Sequence, residues 1–337
     1  MYDVITIGSN TIDAFVYTDK AESIRVKTLN SEETFISYPL GSKLLINELD
    51  FFTGGGGTNS AVCMARMGLN VAYIGKVGKD SNGIRILDEL KEENVDFLGE
   101  MSLLPKEKTG YSIILDSIEH NRTILSFRGA NDSLDYSKLD EKKLETKWFY
   151  LSTMIGKSFK TLEYITDFAV RNKIRIIFNP NNYLCEMGAN YLGKILKNTE
   201  ILVLNNEEAT LLTGNIDSRR KIIALKELGP KIVIITDGKN SVNCFDYDNN
   251  HYVIYPMDIK IVETTGAGDS FSSTFLVGFI KTRDIEFSLK IAIVNSHSVL
   301  KYKGAKNKLL TFEEAVQLLS ASTIKSEKYY YGKKEII

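Results

Sequence analysis

Four short apolar, β-branched runs dominate the second half of the chain: Trp148 to Leu151, Ile174 to Phe178, Ile201 to Leu204 and Ile232 to Ile235, with starts 26, 27 and 31 residues apart. That interval holds a strand, a helix and two loops, and a strand that is apolar throughout must be covered on both faces. The pattern predicts a βαβ array: an α/β fold with a doubly wound, mainly parallel sheet flanked by helices. Val4 to Gly8 and Val71 to Gly75 read as two more strands, the second preceded by a helix from about Thr58 to Met67. In that helix Ala61, Met64, Ala65 and Gly68 form a small-residue face suited to close packing.

Two stretches have another texture. Residues 13–52 and 97–128 contain alternating segments such as Tyr111 to Leu115 and Arg122 to Phe127 without a helical period. Alternation marks half-exposed strands, so these inserts predict a small sheet beside the main one, with 1–12, 53–96 and 129–325 as the core. Five prolines and no Gly/Ser-rich linker argue against independent tandem domains. The tail 326–337, with Lys328, Lys333 and Lys334 among three tyrosines, reads as a surface extension.

Composition narrows the function. Forty-two Lys plus Arg against 43 Asp plus Glu leave a net charge of -1, so no global field holds nucleic acid or an anionic membrane. Any bound anion must be held locally. Cys63, Cys185 and Cys244 form no Cys-x-x-Cys pair and read as buried thiols of a reducing compartment, while the N-terminus lacks a secretory leader, which together predict a cytoplasmic location. His120, His251 and His297 lie too far apart in sequence to suggest a histidine metal centre or a Ser/His/Asp relay.

The most informative segment is Glu263-Thr264-Thr265-Gly266-Ala267-Gly268-Asp269, followed by Phe271, Phe275 and Phe279 on one side of a helix starting near Gly268. Small residues let backbone N–H groups approach a ligand, and a helix N-terminus adds roughly half a positive charge, so an anion belongs there. Asp269 has two readings: a carboxylate that stabilises the helix start, or a base that takes the proton of a hydroxyl attacking a phosphoryl group. Gly54-Gly55-Gly56-Gly57 before Asn59 is either a flexible surface loop or a site of close ligand approach, where Asn59 caps the helix or bonds a polyol. Asn205-Asn206-Glu207-Glu208 follows a strand at the edge where ligands gather on parallel sheets; it is either a helix cap or a water-mediated magnesium site. Gly156-Lys157-Ser158 is no phosphate loop, since Leu151 stands where its first glycine is required, and no Gly-x-Gly-x-x-Gly follows a strand.

Together these segments resemble the ribokinase-like carbohydrate kinase family, also called the pfkB family, from Ile5 to about Ala305. Gly266 to Asp269 looks like its C-terminal signature and Gly54 to Gly68 its N-terminal one. Further similarity lies in Gly8-Ser9-Asn10 with Asp13, Ile74 to Asp80 with Gly83, Gly129-Ala130-Asn131, Thr236-Asp237-Gly238 and Lys303-Gly304-Ala305. The resemblance implies a ribokinase-like fold with a β-sheet lid that covers the sugar and forms a homodimer interface. It implies ATP as co-substrate with Mg2+, Asp269 as base, and the backbone of Gly266, Ala267 and Gly268 as anion hole. Asn10, Asp13, Gly55, Gly56 and Asn59 would bind the sugar. Asn205, Glu208, Thr236 and Gly238 would serve the nucleotide, with Glu208 holding magnesium through water.

Three departures bear on substrate and ions. Glu263 stands where many members carry the Asp of a monovalent cation (K+) site, Gly56 replaces the lysine of ribokinases proper, and Thr58 replaces a common alanine. The implied activity is phosphorylation of a hydroxyl on a small sugar. A nucleoside kinase of the same family, with Tyr111 and Phe127 stacking on a base, and a non-catalytic sugar sensor are the alternatives. Arg128 and Lys43 are the basic residues open to a substrate that already carries phosphate, or else ordinary surface charges.

Overall fold

The computed structural model describes residues 1–28, 32–116 and 122–330. His120 and residues 331–337 of the tail lie outside the described residues. The predicted apolar runs pair side by side in a ten-stranded sheet. From one edge its order is Lys325–Tyr329, His251–Tyr255, Val242–Phe245, Ile232–Thr236, Ile201–Asn205, Arg175–Phe178, Thr146–Leu151, Tyr2–Ile7, Val71–Ile74 and Val95–Phe97. The strands from Ile232–Thr236 to Val95–Phe97 run parallel; the other three join antiparallel.

Both faces of this sheet are covered, as continuous apolar strands require. On one face Val4, Trp148, Ile177 and Ile234 pack beneath the helices Gly56–Arg66, Ala267–Thr282 and Ile285–Val299. On the other, Ile5, Phe149, Phe178 and Leu202 meet Phe159–Asn172, Ala189–Lys197 and Ser218–Glu227. Phe271, Phe275 and Phe279 anchor their helix on the first face, and the Phe279 ring meets Trp148 edge-on at 6.3 Å.

A second sheet of four strands has the order Arg122–Phe127, Tyr111–Asp116, Thr11–Tyr17 and Glu48–Gly54. Ile12, Phe15 and Ile114 are buried, whereas Leu49, Phe51, Leu125 and Phe127 remain exposed. The strand Thr11–Tyr17 starts inside the stretch 1–12 expected to be core, and Glu48–Gly54 runs past residue 52, because their pairing extends from Tyr17↔Glu48 to Thr11↔Gly54. The insert also forms a largely solvated hairpin of Glu22–Lys27 with Glu32–Ser37.

The structure decides two local readings. Residues 326–330 are not a loose surface extension: Lys325–Tyr329 is an edge strand antiparallel to His251–Tyr255, and Lys328 lies over the Tyr252 ring at 4.7 Å. Its backbone finds partners that its lysine-rich composition did not suggest. The glycine run is likewise no flexible loop. The helix begins at Gly56, and a Cβ on Gly57 would lie 2.7 Å from the Gly8 carbonyl carbon and from the Tyr73 ring. Glycine is needed there so that helix and strand end can touch.

Candidate active site

A cavity of about 250 Å3 opens beyond the carboxyl ends of the parallel strands, where ligands gather in open α/β sheets. Its lining draws together Gly56, Asn205, Glu208, Thr236, Gly266, Gly268 and Asp269. Segments more than 200 residues apart in sequence, at Gly56 and Asp269, therefore share one wall.

The turn entering the helix Ala267–Thr282 is built by contact with a neighbouring loop. Gly266 has φ +79°, and a Cβ there would lie 2.4 Å from Ala305 Cβ. A side chain is excluded by conformation and by space. Ala267 donates its N–H to the Thr264 carbonyl at 3.3 Å and Ser270 to Gly266 at 2.8 Å. The N–H groups of Gly268 and Asp269, in the first turn, have no acceptor within the helix. A Cβ on Gly268 would meet no atom within 4 Å, so the backbone there faces open space. Two free N–H groups and the helix dipole make this end attractive to an anion.

Asp269 follows, half-buried, with Asn59 Nδ2 donating to its Oδ2 at 2.8 Å. The other oxygen faces Gly56, where a Cβ would stand 3.3 Å away. Burial pushes this carboxyl above the usual range; the Asn59 hydrogen bond and the Lys306 charge oppose the rise, and Asp13 adds to it. A carboxylate made more basic in this way is a better proton acceptor.

Asn59 therefore reaches Asp269 itself, and its Oδ1 is buried without a partner. Asp13 is buried, accepts from Thr11 Oγ1 at 2.9 Å, and is raised mainly by burial. Asn10 is fully buried and spends both amide hydrogens, on Tyr73 Oη and the Lys76 carbonyl, each at 2.9 Å. Only its Oδ1 is left for any ligand. Gly55, at φ +99°, presses on the backbone of Ser9 and Asn10. Asn10, Asp13, Gly55, Asn59, Ala267 and Gly238 lie outside the cavity wall. Gly238 sits in the turn after Ile232–Thr236 with φ +55°.

The helix-cap reading of Asn205 and Glu208 is the one the hydrogen bonds show. Asn205 Oδ1 accepts from the Glu208 N–H and Glu208 Oε2 from the Asn205 N–H, each at 2.8 Å, forming a capping box. Both residues still line the cavity. Burial lifts the Glu208 carboxyl to about 7, opposed by the Asn205 N–H and reinforced by Glu207 and Asp269. Asn181 Oδ1, in the same wall, is a buried acceptor without a partner. Magnesium keeps most of its water and takes one or two carboxylates plus phosphates, so Glu208 with Asn181 suits a hydrated ion. Among the described residues no group of three or more His, Cys, Asp and Glu forms a closed metal cage.

Glu263 is already engaged. Its Oε1 accepts from the N–H groups of Thr264 and Thr265 at 2.7 and 3.0 Å, and its carboxylate pairs with Arg122 of the small sheet. His251 and His297 are elsewhere, and all three cysteines are buried and free.

Sequence reasoning missed Ser152, Thr153 and Asn179 to Asn181, which line the cavity directly after Leu151 and Phe178. The signal was present: they follow the predicted strands at their carboxyl ends. It also missed Lys306, buried against Glu89 at 2.5 Å and Thr53 at 3.1 Å, whose charge acts on both Asp13 and Asp269.

The model of the pfkB family carbohydrate kinases matches residues 3–311, and the chain belongs to that family. It is therefore a sugar or nucleoside kinase of the ribokinase type. An uncharacterized sugar kinase of Archaeoglobus fulgidus is 32% identical over 227 residues, 66% of this chain and 88% of that protein. The 5-dehydro-2-deoxygluconokinase of Clostridium perfringens is 28% identical over 350 residues, covering 98% of this chain and 95% of its own. Among solved structures, a putative ribokinase II from E. coli in complex with ATP and Mg2+ superposes with a TM-score of 0.77 at 19% identity, covering 96% of this chain and all of that one. That likeness carries the fold: a large central sheet flanked by helices with a separate small sheet. Among the described residues no helix is long and apolar enough to cross a membrane.

Proposed function

We propose that this chain is an ATP-dependent carbohydrate kinase that moves the γ-phosphoryl group onto a hydroxyl of a small sugar. The observation that carries the reading is the convergence of the Gly266–Gly268 turn, Asp269, Asn205, Glu208 and Thr236 on one cavity. In this reading Asp269 accepts the proton of the attacking hydroxyl while the N–H groups at the Gly266, Ala267 and Gly268 turn stabilise charge on the migrating phosphoryl. Asp13, Gly56, Asn59 and Asn10 Oδ1 bound the sugar side, with Gly55 shaping the backbone beneath it. Asn205, Glu208, Thr236 and Gly238 face the nucleotide. Magnesium, held by Glu208 through water, would neutralise charge on the phosphates.

The stretches 13–52 and 97–128 act as a lid that excludes water from the transfer, and its exposed face with Leu49, Phe51 and Leu125 joins two copies in a homodimer. Three buried thiols accord with a cytoplasmic setting. Because Arg122 already neutralises Glu263, replacing Na+ by K+ should change turnover little.

The test is Asp269→Asn in an ADP-release assay over ribose, fructose, 2-keto-3-deoxygluconate and adenosine. Turnover should fall roughly 10²- to 10⁴-fold with substrate binding retained. Unchanged turnover removes Asp269 as base. Activity on adenosine alone selects the nucleoside reading.

A further inference from the structure

Arg122 opens the outer strand of the small sheet, yet its side chain ends on the segment leading into the Gly266 turn. Its guanidinium pairs with Glu263, donates through Nη1 to Thr265 Oγ1 at 3.0 Å, and donates through Nη2 to Thr264 Oγ1. Glu263 in turn accepts from the Thr265 hydroxyl at 2.9 Å and from both threonine N–H groups. The two side chains are 25% and 10% exposed, so solvent screens the pair only in part.

We propose that Arg122 is a positioning residue for phosphoryl transfer: one ion pair fixes the Glu263–Gly266 segment to the small sheet, so the seating of that sheet sets the geometry of the anion-holding helix start. The mechanical path is short. Thr264, gripped by Arg122, supplies the carbonyl that accepts the Ala267 N–H, and Ala267 begins the helix. A planar guanidinium suits the task, because its forked donors hold several acceptors in fixed directions. Misplacing reacting groups by about 1 Å costs around 100-fold in rate, so small freedom in this turn is felt in turnover.

This inference rests on the kinase reading, and its test separates the two. Arg122→Ala and Glu263→Gln are compared with the wild type by ADP release and by amide hydrogen exchange. Each variant should lose between about 10- and 100-fold in kcat, with the KM for ATP changed less than about twofold. The double variant should lose no more than the worse single one, since both break the same contact. Exchange at residues 263–268 should quicken in both variants while exchange in the central strands stays as slow as in the wild type. Exchange at 263–268 unchanged in Arg122→Ala, or losses that multiply in the double variant, overturns the proposal. No ADP release from the wild type on any sugar or nucleoside overturns the kinase reading, and the exchange measurement still decides whether Arg122 holds the Glu263–Gly266 segment in place.

Discussion

Glu208→Gln tests whether burial of the Glu208 carboxylate costs stability. Glu208 is 7% exposed, and its carboxyl is lifted from 4.5 to about 7, chiefly by burial. At about 1.36 kcal/mol per pH unit, that rise corresponds to roughly 3 kcal/mol. The sign follows from proton linkage: the folded chain binds this proton more tightly than the unfolded one. Glu208 therefore costs nothing below about pH 4.5, costs progressively more as pH climbs through about 7, and carries its full penalty above that. Glutamine removes the charge yet still accepts the Asn205 N–H, as a capping box permits. Without nucleotide or magnesium, Glu208→Gln should stabilise by less than about 1 kcal/mol at pH 5 and by about 3 kcal/mol at pH 8. For 337 residues, at roughly 2.1 cal/mol/K per residue, this is a rise in Tm of about 4 °C. Urea denaturation at both pH values gives the comparison directly. Equal effects at pH 5 and pH 8, or destabilisation at pH 8, would refute the claim that a desolvated carboxylate lies in this wall.

Other expectations follow from the same geometry. Gly266→Ala places a Cβ against Ala305 at a φ of +79°, and should lower stability by about 2–4 kcal/mol in denaturant titration while abolishing turnover. Asn59→Ala removes the hydrogen bond that holds the Asp269 carboxyl down, so the acid limb of the kcat/KM profile should move to higher pH; an unmoved limb would count against Asp269 as the base proposed above.

The strands were legible because each is a continuous apolar run, and a sheet covered on both faces leaves little choice about such runs. The helix Ala267–Thr282 was legible from Phe271, Phe275 and Phe279, and the tight turn before it from its glycines. What escaped depends on partners remote in sequence. Nothing local to Gly57 announces Gly8 and Tyr73 against it, and nothing near Asn10 shows that Tyr73 and Lys76 consume its amide. The Asn205 segment is compatible with a cap and with a ligand site, and the structure uses these residues as a cap whose side chains also line the cavity. Arg122 and Glu263 are 141 residues apart and meet only because the small sheet folds back over the turn. The strand Lys325–Tyr329 was hidden for a related reason: backbone pairing, not side-chain pattern, holds it.

That last strand also governs how the protein tolerates shortening. If the chain stopped at Ile324, the whole length of His251–Tyr255 would present bare amide and carbonyl groups beside the apolar side chains of Val253 and Ile254. Such an unguarded rim recruits strands from other molecules, so the cut protein would fail by clumping rather than by losing the cavity around Asp269.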